Sequence, residues 1–493
     1  EGAGDRRRRA GCGGGVRRRG LGPACRAGSI FLITGLVAHV SSVELGLVVS
    51  GATISSIPVQ IYRQAERYAQ EEQMVAVRDA ADPDVVVVGF LRRIAKLEPI
   101  VRDRVRTPYV DRPDMLDYGV LLPYTSAVVK PYVELDPSGG VREVEHIPTP
   151  GSRVFLLRGG PSVRVPPERA AVVGVHKYSG WEVPLDLAYI SHHVGVFGAT
   201  GMGKSRLVRA LLGEVAKRGA RIVVFDHTGV DYAPYYDNVV RSSEIRIPPN
   251  VLASVVAKLA KLPWQSYGEY IEIATMTFEG QWSKDAFLAH VRRTMKRLNA
   301  RDTTAERVEL FIKQLVDPDF FAALNKRAVS PADVLGSRPY PVVVDLSYDT
   351  DLAVKQAIVA SIIEEAWAEV RRAREPRPTV FVIDEAQNYA PSDWAMSKDS
   401  IETTAREGRK WGLSVVLASQ RIAGDIDPSI RANLGTVFFS RLTAPTDLRE
   451  ISAYLDLADV SEGVLTQLQP REFFVAGLMN PLRKPILLKI REV

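Results

Sequence analysis

Residues 198–205 read Gly-Ala-Thr-Gly-Met-Gly-Lys-Ser. That glycine spacing lets successive backbone N–H groups curl around phosphate oxygens, and a helix starting at the lysine adds positive potential. The pattern G-x-x-x-x-G-K-[ST] is matched in full. Lys204 is placed to neutralise β- and γ-phosphates, and the Ser205 hydroxyl to ligate Mg2+. Gly198, Ala199, Thr200, Gly201, Met202, Gly203, Lys204, Ser205 and the adjoining Arg206 are therefore expected to hold ATP. A chance glycine-rich turn would lack the apolar strand before it (194–197) and the helical pattern after it (205–217).

A second apolar run, Thr379-Val-Phe-Val-Ile, ends in Asp384-Glu385. Acids closing a buried strand sit at the carboxyl edge of a sheet, where nucleotide ligands bind. Asp384 is expected to hold Mg2+ through water and Glu385 to polarise the attacking water. The adjacent acids favour a hydrolytic motor over a kinase or a GTPase. The guanine motif N-K-x-D is absent, because Asn325-Lys326 is followed by Arg327 and Ala328. Gln420 closes the next apolar strand and is expected to sense the γ-phosphate, although any isolated glutamine there could simply cap a strand.

Arg406, Arg409 and Lys410 share one side of a short helix by their i, i+3 and i+4 spacing. They read either as a solvated basic face or as an arginine finger that stabilises charge on the transferred phosphoryl group across a subunit boundary. The loop Asp226-His-Thr-Gly229 and the tyrosines after it face a nucleotide, a channel, or neither. Arg421 and Arg431 are candidates for phosphate contacts on DNA. With no base-reading motif in view, sequence-independent backbone binding is the expectation.

The elements that must carry these groups change character along the chain. Residues 46–50, 56–61, 85–91 and 119–122 are short, branched and divided by Asp/Pro/Gly clusters, which predicts a small β-barrel over 43–148. From about 190, apolar strands at 194–197, 221–225, 342–346, 380–383, 413–418, 437–440 and 473–476 alternate with helices, predicting a parallel α/β sheet. Residues 250–340 read as helices at 252–262, 285–298, 305–316 and 320–324, hence a helical insertion. The ATPase core thus falls into a first part at 149–249 and a second at 341–475, with a C-terminal strand or arm at 476–493. Residues 1–42 read as a Gly/Arg-rich, disordered extension.

Composition bounds these readings. Of 493 residues, 46% are hydrophobic and 25% charged, ample for a core. The formal charge of +6 invites a nucleic-acid partner, but residues 1–27 carry eight arginines against Glu1 and Asp5. That surplus equals the whole charge, so any DNA-binding surface on the remaining chain must be local. Cys12 and Cys25 are the only cysteines, too few for a four-ligand zinc site, and they fit a reducing, cytoplasmic compartment. The apolar run at 30–38 is interrupted by His39, Ser41, Ser42 and Glu44, short of the roughly 20 residues of a membrane span, and no membrane association is expected.

The chain resembles the archaeal HerA helicases of the HerA–FtsK group. The likeness is carried by His193-Val-Gly-Val-Phe-Gly-Ala-Thr-Gly-Met-Gly-Lys-Ser205, Val224-Phe-Asp226, Val382-Ile-Asp-Glu-Ala386, Ala405-Arg-Glu-Gly-Arg-Lys410 and Leu417-Ala-Ser-Gln-Arg421. Asn433–Thr436 and Arg441-Leu-Thr443 continue it. The resemblance implies a RecA-like P-loop ATPase core with a parallel sheet, an N-terminal β-barrel and a helical insertion. It also implies a homo-hexamer that uses ATP and Mg2+ to move on double-stranded DNA ends, coupled to a NurA-type nuclease in end resection. Two departures stand out. His227-Thr-Gly-Val-Asp231-Tyr232 replaces the family's acid and aromatic directly after His-Gly, and His192 stands where relatives carry a basic residue. A conjugation- or secretion-type ring ATPase at a membrane is the alternative. A non-hydrolysing scaffold is a further one, against which Lys204, Asp384 and Glu385 speak.

Overall fold

Alternation of apolar and polar residues along short strands forces one face of a sheet inward, and a sheet with such a face at every strand can close on itself. The computed structural model, which describes residues 39–98, 111–112, 114, 123–136, 140–442, 444–455 and 460–492, shows this closure. Strands β1 (His39–Val48), β2 (Ile57–Ile61), β3 (Gln73–Arg78), β4 (Val86–Leu97), β5 (Tyr124–Leu135), β6 (Val141–Arg142) and β7 (Arg153–Arg158) run antiparallel in the order β2-β1-β7-β3-β4-β5-β6. Pairing of β5 with β2 shuts a six-stranded barrel around Leu45, Val59, Val75, Val87, Val129 and Val154. Gly46 and Gly89 sit at register shifts where a Cβ would lie 2.1 and 2.2 Å from the facing carbonyls of Gln60 and Lys130. Strand β7 lies past residue 148, in the stretch assigned above to the ATPase core, yet it fills the gap between β1 and β3. The strand expected at 119–122 and the extension through residue 38 lie outside the described residues.

The second sheet has ten strands: β9 (Gly174–His176), β11 (Val194–Phe197), β12 (Arg221–Asp226), β13 (Val239–Arg241), β14 (Val342–Asp345), β15 (Thr379–Ile383), β16 (Leu413–Ser419), β17 (Thr436–Phe439), β18 (Glu472–Gly477) and β19 (Ile486–Ile490). The two-residue strands β8 (Ala170–Ala171) and β10 (Leu185–Asp186) pair separately. The order is β13-β14-β12-β15-β16-β11-β17-β18-β19-β9, parallel through β17 and antiparallel beyond it. The strands expected from apolar runs all appear, within one or two residues. Their continuous hydrophobicity reflects helices on both faces. Helix α1 (Lys204–Ala216) buries Leu207, Val208, Leu211, Leu212 and Val215, a single stripe at helical spacing.

Between β13 and β14 run α2 (Pro249–Leu259), α3 (Trp264–Met276), α4 (Lys284–Arg297), α5 (Asp302–Leu315), α6 (Pro318–Leu324) and α7 (Pro331–Gly336). Helix α3 is not legible from the apolar pattern, because Gly268 interrupts it. The structure gives the reason for the glycine: a Cβ there would come within 2.6 Å of the Trp264 ring. Helices α8 (Leu352–Ala373) and α9 (Lys398–Glu407) complete the layer around β15 and β16. In the C-terminal stretch, expected as a strand or arm, β19 is an interior strand held between β18 and β9.

Candidate active site

Strand β11 stops at Phe197, and the chain then turns through Gly198, Gly201 and Gly203 at φ of +159°, +79° and +94°. Gly203 is the N-cap of α1, so the first helical amides face the loop's concave side. Lys204 Nζ donates to the Gly198 carbonyl (2.9 Å), bridging the two ends of the loop. Burial holds Lys204 below the ordinary lysine range, although Glu385, Asp384 and Asp231 pull the other way.

Three acids converge on Ser205. Asp231 Oδ1 accepts the Ser205 hydroxyl at 2.7 Å, and Asp226, Asp231 and Asp384 offer carboxylate oxygens all within 4.8 Å of one another. Asp226 is fully buried and accepts from four backbone amides, those of Thr228, Gly229, Tyr232 and Ala233, at 2.9–3.3 Å. It therefore shapes the loop that swings Asp231 over Ser205. Asp384 is only 3% exposed and its Oδ2 has no hydrogen-bond partner. Burial first, then Asp231, Glu385 and Asp226, pushes its carboxyl up to about 8. A buried, unpaired acid oxygen beside two more carboxylates and a hydroxyl is the donor set a hard divalent cation requires, so these residues fit Mg2+.

Glu385, two residues past the end of β15, takes φ +46°, a left-handed conformation. Gln387 Nε2 donates to Glu385 Oε2. Gln420 Nε2 lies 3.2 and 3.3 Å from the two carboxylate oxygens. Gln420 Oε1 in turn accepts from Thr200 Oγ1 of the phosphate loop at 2.9 Å, and Ser419 Oγ donates to Gln387 Oε1 at 2.8 Å. The acid is thus oriented by two amides, one of which is hydrogen-bonded to the phosphate loop itself. Asp231 and Gln387 carry no role in the sequence reading. Their only signal is proximity to the motif ends, and it takes the four amides on Asp226 to show where the Asp231 loop goes.

The remaining predicted residues do not join this cluster. Arg406 is exposed and lies 3.7 Å from Glu402 one turn earlier, an ordinary surface ion pair. Arg409 sits in the turn before β16, at the amino edge of the sheet, whereas the phosphate loop follows β11 at the carboxyl edge of the parallel neighbour. A seven-residue strand places these edges roughly 20 Å apart. No acid pairs with Arg409 among the described residues. Burial, then the charges of Arg409 and Arg483, lowers the His192 imidazole below its usual range. Arg421 is about half exposed, 3.5 Å from Asp447. Arg431 corrects the expectation of a DNA contact. It is 6% exposed, donates to the Ile422 carbonyl (2.8 Å) and lies 3.2 Å from Glu450, so its guanidinium is committed within the fold.

A phosphate loop at the carboxyl edge of a parallel sheet, faced by an acid cluster and an oriented glutamate, defines a P-loop ATPase. The central-domain profile of helicase HerA matches residues 171–366. The DNA double-strand break repair helicase HerA of Sulfolobus acidocaldarius is 24% identical over 82% of this chain and 86% of its own. That of Sulfurisphaera tokodaii is 22% identical over 83% and 86%. Among solved structures, VirB4 of Thermoanaerobacter pseudethanolicus superposes with a TM-score of 0.49 at 16% identity, covering 67% of this chain and 98% of that one. The chain is thus similar to the HerA helicases over most of its length, and it is an ATP-hydrolysing enzyme of the helicase class. Among the described residues no helix is long and apolar enough to cross a membrane.

Proposed function

We propose that this protein is a ring-forming DNA translocase that acts on double-stranded DNA ends, drives itself with Mg-ATP and works with a nuclease of the NurA type in end resection. The carrying observation is the chain of contacts Thr200–Gln420–Glu385, which ties the acid that activates water to the loop that grips phosphate. Gly198–Ser205, with Arg206, hold the triphosphate, and Lys204 leaves the Gly198 carbonyl for the phosphate oxygens. Ser205, Asp231 and Asp384 would hold Mg2+, which when bound neutralises charge on the phosphates. Glu385 accepts a proton from the attacking water, and Gln420 reports whether a γ-phosphate occupies the loop by holding or releasing that acid.

The DNA half of the proposal is supported by the relatives, whose names describe DNA double-strand break repair helicases. The ring is supported by the position of Arg409. A cation with no acid partner among the described residues, on the far edge of its own sheet, can reach a phosphate loop only if a second copy packs head to tail. A closed set of such copies is a ring, and we read it as a hexamer. The relation to a nuclease rests on the family likeness.

Three outcomes follow. ATP turnover should rise when linear duplex DNA is added, and equal rates with and without DNA would end the translocase reading. Arg409→Ala should lower turnover by about 10³-fold, the usual worth of an arginine finger, while Arg406→Ala costs little. Mixing Arg409→Ala subunits with Lys204→Ala subunits should restore measurable turnover at mixed interfaces; no recovery would place Arg409 outside a neighbour's site.

A further inference from the structure

The start of the last hairpin bears on the phosphate loop in a way the mechanism above does not use. Arg471, the residue before β18, has φ +70°, a left-handed conformation that an arginine side chain rarely adopts. Its N–H donates to the Met202 carbonyl (2.8 Å) and its carbonyl accepts from Ile490 N (2.9 Å). Its Cγ lies 3.5 Å from the place a Cβ on Gly203 would occupy. The arginine stem therefore packs on the loop one residue before Lys204. Backbone strain of this kind persists only where neighbouring contacts hold it, and here both its hydrogen-bonding groups are tied.

The guanidinium is not buried against the loop. It pairs with Glu492, whose side chain is 81% exposed, and Arg206 of α1 is near enough to act on the same carboxylate. An exposed acid holds a guanidinium weakly, since water screens the pair. A polyphosphate offers more charge and paired oxygens that match the planar fork.

We propose that Arg471 is a phosphate-binding residue, whose guanidinium leaves Glu492 for the phosphates of a nucleotide seated on Gly198–Ser205. The proposal rests on the reading of that loop as the nucleotide site. Glu492 is then a competitor that sets how readily the arginine is given up.

The test is equilibrium binding of ADP, with adenosine as a phosphate-free comparison, to the full chain and four variants. Arg471→Met keeps the stem and removes the charge, and it should weaken ADP about ten-fold, the worth of one charge-assisted hydrogen bond. Arg471→Lys retains a point charge and should weaken ADP by no more than about three-fold. Glu492→Gln should tighten ADP by roughly two- to three-fold, as a solvated pair no longer competes. Adenosine binding should be the same in all of these. Wild-type ADP affinity in Arg471→Met, equal losses in the methionine and lysine variants, or an equal loss for adenosine would each overturn the proposal. Lys204→Ala separates the two levels. If it too binds ADP normally, the loop reading fails; if it alone loses ADP, only the role of Arg471 does.

Discussion

Glu385→Gln is expected to cut ATP turnover by about 10³-fold while nucleotide stays bound, within the range that positioned general bases contribute. The geometry accounts for both halves. Glu385 contributes nothing to the phosphate loop directly, so binding survives. The carboxylate is held by N–H donors from Gln387 and Gln420, and a glutamine in its place has lost the basic oxygen and turns an amide against those donors. Lys204→Ala is the companion case and should lose both binding and turnover, because among the described residues no other cation bridges the ends of the loop as its Nζ does. Single-turnover hydrolysis alongside equilibrium ATP binding separates the two. Turnover within ten-fold of wild type in Glu385→Gln would move the base elsewhere.

Asp384→Asn should make the protein more stable in alkaline solution and abolish much of its pH dependence there. The Asp384 carboxyl is raised from 3.8 to about 8 in the folded protein. A raised value means that the folded state keeps a proton which the unfolded state has released. Stability from this group is therefore complete below pH 3.8 and falls steadily as pH climbs to about 8. The full penalty is at most roughly 6 kcal/mol by linkage. Asparagine has the same shape and no charge to bury, so thermal unfolding of the variant should exceed wild type by several degrees at pH 8.5 and match it near pH 4. Mg2+ should raise the wild-type midpoint at pH 8.5, since a ligand that binds only the folded state stabilises it, and should do less for the variant. A wild-type midpoint flat between pH 5 and 8.5, without added metal, would contradict the burial of this acid.

The parallel sheet was readable because each of its strands is buried on both faces and so appears as an unbroken apolar run. The same holds for the phosphate loop and for Asp384-Glu385, whose spacing is set by local backbone geometry. What escaped depends on distant partners. Arg153–Arg158 looks like any short strand, and only pairing with residues more than seventy positions earlier assigns it to the barrel. Gly268 looks like a helix breaker until Trp264 is seen lying over it. Arg431 was suggested by charge alone, whereas its burial is decided by the Ile422 carbonyl and Glu450. Asp231 acquires meaning only once Asp226 has wound its loop back onto Ser205.

The β18–β19 hairpin has two ends, and each is fastened to a different part of the molecule. One end begins at the Met202 carbonyl of the phosphate loop. The other, about 20 Å away by the rise of a six-residue strand, reaches the barrel. Tyr132 donates to the Pro485 carbonyl (2.7 Å) and Lys484 to the Pro131 carbonyl (3.0 Å). Tyr132 in turn accepts from Arg92, whose buried guanidinium is locked on Glu72. Letting that joint slip would break the hydrogen bonds to the Pro485 and Pro131 carbonyls together. The hairpin accordingly joins the phosphate loop to the barrel through direct hydrogen bonds at both of its ends. Whatever grips the barrel is mechanically in series with the nucleotide.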